Sequence, residues 1–219
     1  MLEAIRRKFM HLVTDPTLRH WVLKVAFRQT RALQIDRSTI PDYAKGLPAT
    51  PNIPIVKFLP APSGLPDKPL NIRLPGLKLT ILPHDVRGVF DLQVGDLETW
   101  LGLQRFAWLP TLTSEPDSRW VTLLYNEWLR AFGDKKKTWA WHPYTVAERA
   151  INLIDAAQAL GVPSNPHDFT TEMHNHGRAI QARMEYFGPH YTGNHLANNG
   201  RGLYRIGIAT GDGAMVAQG

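Results

Sequence analysis

Proline is concentrated in one part of this chain, and that concentration limits the fold more than any other feature. Ten of the 17 prolines lie between positions 41 and 83. Because proline lacks a backbone N–H donor and disfavours helix in the residue before it, no regular helix can persist there. The segment keeps bulky apolar side chains, so residues 41–96 are predicted to form an ordered, extended wrap with short strands at 53–59 and 77–82.

Residues 1–40 are predicted to form two short amphipathic helices joined by a turn at Asp15 and Pro16. The first 37 residues hold eight Lys or Arg and three Asp or Glu, in a chain of net charge +6. A solvated basic face is the simplest interpretation. The excess favours a polyanion, either nucleic acid, an anionic membrane or an acidic polysaccharide. Nucleic acid is the least favoured, because no helix-turn-helix or aromatic ribonucleoprotein pattern accompanies the arginines.

Several classes of protein are excluded by residues that the chain lacks. Without cysteine there is no disulfide scaffold, iron–sulfur site or thiol nucleophile. No serine lies in a Gly-x-Ser-x-Gly elbow, and no glycine-rich phosphate loop is present, so no cofactor is predicted. A metal site has little support: His174 and His176 alternate and His190 and His195 lie five apart, but no carboxylate stands at a recognised ligand spacing. No signal peptide and no apolar run long enough for a transmembrane segment are visible.

Residues 97–219 are predicted to be a succession of helices joined by short loops. Without strand–helix alternation, the pattern favours helical hairpins over a parallel sheet, and the fold class is therefore mainly α. The tail 211–219 is predicted to be a turn without a terminating helix. The helix limits come from local signals. Helices are predicted to end at Pro110 and Gly133, and the next begins at a capping box of Thr145 and Glu148 and ends at Gly161. A cap at Asn165 begins a helix to about 187, and a last helix runs from Asn194 to about 208.

Two clusters of side chains are candidates for chemistry. The stretch 185–201 combines histidines, asparagines and tyrosines around a Gly-Pro turn, which is costly to bury and typical of a polar cleft. Equally, Asn194 could simply cap the last helix while His195 makes one core hydrogen bond. The stretch 139–149 places aromatic and polar residues together, as a sugar site requires. Trp139 and Trp141 are expected to be exposed there, whereas the other tryptophans at helical spacing are expected to pack in the core: Trp100, Trp108, Trp120 and Trp128.

Five motifs, in order, resemble the N-terminal part of the heparinase II/III-like proteins, which are uronate polysaccharide lyases and their relatives from exopolysaccharide gene clusters. Two of them carry most of the specificity: His-Pro-Tyr-Thr-Val-Ala-Glu-Arg at 142–149 and Gly-Asn-His-Leu at 193–196. The others are Phe-Ala-Trp-Leu at 106–109, Asn-Glu-Trp-Leu at 126–129 and Glu-Tyr-Phe at 185–187. The resemblance covers residues 97–210 well and 18–37 loosely.

The resemblance implies an incomplete α/α toroid of helical hairpins, here residues 97–219, followed by an antiparallel β-sandwich. Nothing in these 219 residues resembles the sandwich, and by resemblance we expect them to supply about half of a toroid. We therefore expect a front part of a family member, inactive unless a completing polypeptide supplies the remainder. The family implies the periplasm or cell envelope as localisation; the sequence alone, without a visible signal peptide, would leave the chain in the cytoplasm.

The chemistry implied by the resemblance is β-elimination in an acidic polysaccharide that contains uronic acid, including glycosaminoglycan-like polymers. A base removes the C5 proton while an amide or cationic donor neutralises the adjacent carboxylate. By resemblance, Asn194 is the neutralising amide and His195 a neighbouring donor or base. The family's acid/base tyrosine matches no residue here. A non-catalytic carbohydrate-binding or exopolysaccharide-assembly protein is therefore the alternative function. The substrate-binding residues expected for either function are His142, Tyr144, Trp141, Arg149, Asn198 and Tyr191.

Overall fold

A computed structural model of the chain describes residues 9–10, 12–16, 19–20, 22–23, 46–54, 56–60, 63–111, 117–134, 138–163, 165–186 and 193–219. The described part is mainly helical with one small sheet, which confirms the predicted fold class at that level. Near the N-terminus, the described residues are helical on either side of Asp15, as expected for two helices joined there. The rest of those predicted helices lies outside the described residues.

Two strands form an antiparallel hairpin in the proline-rich segment. β1 (Leu70–Leu74) pairs with β2 (Leu77–Ile81), with Leu70 opposite Ile81. The turn requires Gly76, whose φ of 75° is unfavourable for other residues. The strand predicted at 77–82 is thus confirmed. The prediction of a strand at 53–59 is wrong: apart from a single bridge between Pro60 and Val162, the described residues there pair with no strand, which fits the prolines on both sides.

The helices follow the hairpin. A 3-10 turn at Val89–Asp91 precedes α1 (Leu97–Gln104), and another at Leu109–Thr111 separates it from α2 (Ser118–Phe132). A third 3-10 turn, Trp139–Trp141, leads into α3 (Pro143–Leu160). The remaining helices are α4 (Pro166–Gln181), α5 (Asn194–Thr210) and α6 (Gly213–Gln218). In the part of the chain that the structure describes, no helix is both long and apolar enough to cross a membrane.

Most predicted helix ends are confirmed. α2 and α3 stop before Gly133 and Gly161, and the Asn165 side chain accepts a hydrogen bond from the Asp168 N–H at the start of α4. α5 starts at Asn194 as expected. Near 187 the prediction is wrong, because α4 already ends at Gln181 and a turn follows at residues 182–183.

Three further predictions about helix termini are wrong. The helix expected to end at Pro110 already ends at Gln104, because Phe106 adopts a positive φ of 56° and only a separate 3-10 turn follows at Leu109–Thr111. The capping box at Thr145 and Glu148 does not form, because α3 starts two residues earlier with Pro143 in its first turn, where proline is favoured. Thr145 is consequently buried inside the helix. The tail is not merely a turn either. α6 forms there because the Asp212 side chain accepts hydrogen bonds from the N–H groups of Ala214 and Met215.

The core is built around aromatic side chains from α2, α3 and the short turns. Trp108, Trp120 and Trp128 are buried, and Trp100 packs edge-on against Phe132 at 5.8 Å, so the predicted packing role of these four tryptophans is confirmed. α5 packs closely on α3: a Cβ placed at Gly202 would lie 2.6 Å from the Ala147 Cβ. This contact brings the starts of α3 and α5 together.

Backbone hydrogen bonds fasten the extended segment to the helical layer. The Thr50 N–H donates to the Gly213 carbonyl at 2.9 Å, and the Val162 N–H donates to the Leu59 carbonyl at 2.7 Å. Phe58 and the hairpin residues Leu70 and Ile72 contribute to the same hydrophobic core as the helices. The described residues of the extended segment therefore pack along the helices and are not a free linker.

Candidate functional site

Three parts of the chain meet where α3 and α5 begin. The turn Trp139–Trp141 and the first residues of α3 supply His142 and Tyr144; α5 supplies Asn194, His195 and Asn198. The Asn198 Nδ2 donates to the Tyr144 carbonyl at 3.2 Å, which ties the two helices together. The structure thus brings five of the predicted site residues into one region.

The rings in this region contact one another. The His195 imidazole lies 4.7 Å from the Tyr144 ring and 6.2 Å from the His142 ring, measured between centroids. His142 in turn stacks on Trp139 at 5.1 Å, and Trp139 is 56% exposed. An exposed indole beside two imidazoles and a phenol offers both a stacking surface and hydrogen-bonding groups, as carbohydrate sites require.

Glu185, which follows α4, is the central anion of the site, and sequence reasoning did not assign it a role. Its Oε1 lies 2.7 Å from the His195 Nδ1 and 3.5 Å from the His142 Nε2. Its Oε2 accepts a hydrogen bond from the Asn199 Nδ2 at 3.3 Å. The available signal was its position at the start of the polar stretch 185–201, since an acid among histidines is a natural partner for them.

Asn194 is the first residue of α5 and is exposed. The first turn of a helix presents unpaired backbone N–H groups and a partial positive charge, so an anionic group is favoured beside this side chain. This placement suits the neutralising role that the resemblance implies for the Asn194 amide. Tyr191, also predicted to bind substrate, lies outside the described residues.

The electrostatics of the site are dominated by basic groups around one carboxylate. Burial lowers the pKa of His142, although the Glu185 charge acts in the opposite direction; His195, Arg105 and Arg183 add to the lowering. Burial also lowers the pKa of the half-buried Arg183. The Arg105 guanidinium lies 5.0 Å from the centre of the Tyr144 ring and pairs with Glu98 at 3.1 Å. The region is therefore suited to an anionic ligand.

Trp141 and Arg149 do not lie at this surface. The expectation that Trp141 is exposed is wrong: it is 1% exposed, because its Nε1 donates to the Phe132 carbonyl at 2.7 Å in the core. Arg149 is fully buried, with its guanidinium carbon 3.8 Å from the centre of the Trp128 ring. Neither side chain can touch a polymer bound at the exposed rings.

Arg149 nevertheless contributes to the geometry of the site. Its Nη1 donates to the Ala140 carbonyl at 2.8 Å and to the Gln104 carbonyl at 3.2 Å, and its Nε donates to the His176 Nε2 at 3.0 Å. The Ala140 contact holds the turn that precedes His142. Burial without a carboxylate partner lowers the pKa of Arg149 to about 9, which still leaves it protonated at neutral pH.

His174 and His176, which alternate in the sequence, contact different partners. His176 uses both ring nitrogens, one toward Arg149 and the other toward the Glu172 carbonyl at 2.7 Å. The His174 Nδ1 instead lies 3.6 Å from the Asp212 carboxylate. Among the described residues, no three His, Asp or Glu side chains form a group that could hold a metal ion.

A cavity of about 610 Å³ lies apart from this cluster, between the loop that precedes α1 and the side chains of Trp100 and Phe132. None of the polar residues described above lines it.

No protein-family model, curated protein or solved structure matches this chain. The motifs of the sequence and the geometry of the cluster around Glu185 are therefore the observations that indicate a function.

Proposed function

We propose that this chain belongs to a heparinase II/III-like polysaccharide lyase and that its helices form part of an α/α toroid. The substrate is an acidic polysaccharide that contains uronic acid, and the reaction is β-elimination. The observation that carries the proposal is the position of Asn194 and His195 next to each other at the start of α5. Asn194 is exposed, and the His195 Nδ1 lies 2.7 Å from the Glu185 carboxylate. The two residues resemble the family's Asn-His pair in sequence, and their setting fits the chemistry.

In the proposed reaction, the uronic carboxylate is bound at the N-terminus of α5. Donation from the Asn194 amide neutralises that carboxylate, so the C5 proton becomes acidic enough to be removed. His195 takes the C5 proton through its free ring nitrogen. The electron pair left on C5 forms the double bond between C4 and C5, and the sugar oxygen at C4 leaves with its bonding electrons and takes a proton from water.

The basic setting supports a polyanionic substrate. Arg183 is half-buried, and no carboxylate among the described residues pairs with its guanidinium. A buried or half-buried charge without a partner is costly, and a uronate or sulfate group would relieve that cost. Trp139 is exposed beside the imidazoles and suits the apolar face of a sugar ring.

A non-catalytic carbohydrate-binding protein is the second candidate. The observation that favours it is the same exposed Trp139, which can stack on a sugar whether or not elimination follows. In this case Asn194 and Arg183 would contribute to affinity only.

The test measures elimination and binding on the same samples. Wild-type chain and Asn194→Ala are mixed with heparan sulfate, hyaluronan, alginate and bacterial exopolysaccharide. Formation of the unsaturated sugar is followed by ultraviolet absorbance, and binding by calorimetry. A lyase gives an absorbance rise that falls about 10²–10³-fold in Asn194→Ala, because one donor to the developing charge is lost. Asn71→Ala, which alters an exposed asparagine of β1, is the matched control and should keep full activity.

Each outcome separates the two functions. Binding to acidic polymers without any absorbance change would favour the carbohydrate-binding protein and refute elimination by this chain alone. Failure to bind any of the polymers would contradict both.

A further inference from the structure

The Glu185 carboxylate is shared by two imidazoles and one amide. Its side chain is only 10% exposed, whereas that of His195 is 51% exposed. The backbone around it is held independently of the carboxylate, because the Glu185 N–H donates to the Asn199 Oδ1 at 2.9 Å. Changing the carboxylate to an amide therefore leaves the backbone anchor in place.

The hydrogen-bonding capacity of these groups determines where the protons lie. A carboxylate only accepts, so the His195 Nδ1 at 2.7 Å from Oε1 must carry the hydrogen. Oε2 is engaged by the Asn199 Nδ2, which only donates. Neutral His195 is left with an unprotonated Nε2, on a side chain that is half exposed.

We propose that Glu185 is a positioning residue that keeps the proton of His195 on Nδ1 and thereby presents Nε2 as the basic nitrogen of the site. This inference deepens the lyase proposal and rests on it for the role of that nitrogen in elimination. The protonation pattern itself depends only on Glu185, Asn199 and His195.

The second imidazole is influenced by the same carboxylate. His142 faces Glu185 at 3.5 Å, and the other charged or titratable groups that act on it are His195, Arg105 and Arg183. Glu185 is the only anion in that group. Removing its charge lowers the pKa of His142 further, so His142 takes up its proton at a lower pH in a neutral variant.

The experiment is a long-range ¹H–¹⁵N correlation spectrum of the histidine rings in the ¹⁵N-labelled chain, recorded above neutral pH. In the wild type we expect the pattern of an Nδ1–H imidazole for His195. In Glu185→Gln the amide oxygen stays with the Asn199 donor, so the new NH₂ group faces the His195 Nδ1. That nitrogen must then accept, and the hydrogen moves to Nε2. His195→Gln assigns the signals.

Glu148→Gln is the matched control. Glu148 pairs with Arg201 at 3.2 Å across the same two helices, but no contact links it to either imidazole. We expect its spectrum to keep the wild-type pattern at His195. The titration midpoint of His142, followed in the same spectra, should fall in Glu185→Gln and stay unchanged in Glu148→Gln.

The outcomes are decisive even if a variant folds poorly. An Nε2–H pattern for His195 in the wild type overturns the proposal without any substitution, and so does an unchanged Nδ1–H pattern in folded Glu185→Gln. If the chain eliminates, Glu185→Gln should lower kcat by about 10²–10⁴-fold with little change in KM and shift the pH profile. A correct ring pattern in a chain that cleaves no polymer would refute elimination by this chain alone and leave the positioning role intact.

Discussion

At the scale of single residues, the guanidinium of Arg149 contacts four other parts of the fold. It donates to α4 and to carbonyls of α1 and of the Trp139–Trp141 turn, and it lies against the Trp128 ring of α2. We expect Arg149→Ala to lower the free energy of unfolding by about 3–5 kcal/mol, because it leaves a cavity and three unpaired acceptors. Urea unfolding measures this loss.

Arg201→Ala is the control for that substitution. Arg201 lies on the exposed side of α5 and pairs with Glu148 at the surface, so its removal should change stability by no more than about 0.5 kcal/mol. Equal losses in the two variants would show that Arg149 does not tie the elements together.

Tyr125 offers a second prediction at this scale. Its ring is buried and parallel to Trp128, while no described group hydrogen-bonds to its hydroxyl. Tyr125→Phe should therefore raise the free energy of unfolding by about 1 kcal/mol. Burial also raises the pKa of Tyr125 far above its ordinary value, so the folded state keeps the proton that the unfolded state releases above pH of about 10.

The stability of the wild type and that of Tyr125→Phe should therefore depend differently on pH. Wild-type stability should decline as the pH rises above about 10, and this part of the decline should be missing in Tyr125→Phe. Urea unfolding at a series of alkaline pH values makes the comparison. If the two proteins decline in parallel, Tyr125 does not contribute to the alkaline loss.

At the scale of elements, the close approach of α3 and α5 depends on Gly202. A methyl group there would lie 2.6 Å from the Cβ and 2.9 Å from the Cα of Ala147. Gly202→Ala should therefore destabilise the protein by about 1–3 kcal/mol, although alanine is the better helix former. Because the same packing brings Tyr144 to His195, the variant should also alter the ring spectrum of His195.

Gly102→Ala in α1 is the matched comparison. Its added methyl group would meet the Leu74 side chain at an ordinary 3.5 Å, so helix propensity should dominate and stability should rise by up to about 1 kcal/mol. Thermal unfolding of both variants would contradict the packing argument if Gly202→Ala were as stable as Gly102→Ala.

At the scale of the whole molecule, the sequence was sufficient wherever the deciding signal was local. Gly161 ends α3 with a φ of 92°, and Asn165 caps α4 through its own side chain, so both limits could be read from neighbouring residues. Pro143 illustrates a conflict between two local signals: proline in the first turn prevailed over the Thr145–Glu148 pattern.

The features of the fold and of the site that could not be predicted from the sequence depend on contacts between residues that are distant in the chain. Trp139 and Trp141 are two positions apart, yet Trp139 is exposed and Trp141 is buried, because Trp141 hydrogen-bonds to the Phe132 carbonyl and packs near the Arg149 guanidinium. From the sequence, Arg149 is expected to be a surface cation, because the tryptophan ring and the carbonyl groups that surround it come from distant positions. The role of Glu185 likewise emerges only once α5 brings His195 to it.

The two backbone bonds that fasten the extended segment also imply an order of folding. Each joins positions that are far apart in the chain, Thr50 to Gly213 and Leu59 to Val162, and each needs an acceptor or donor presented by an assembled helix junction. Closing such long loops is costly until the junctions exist. The segment should dock late during refolding and detach early on partial unfolding, so hydrogen exchange at the Thr50 and Val162 amides would report on that detachment before the helices themselves open.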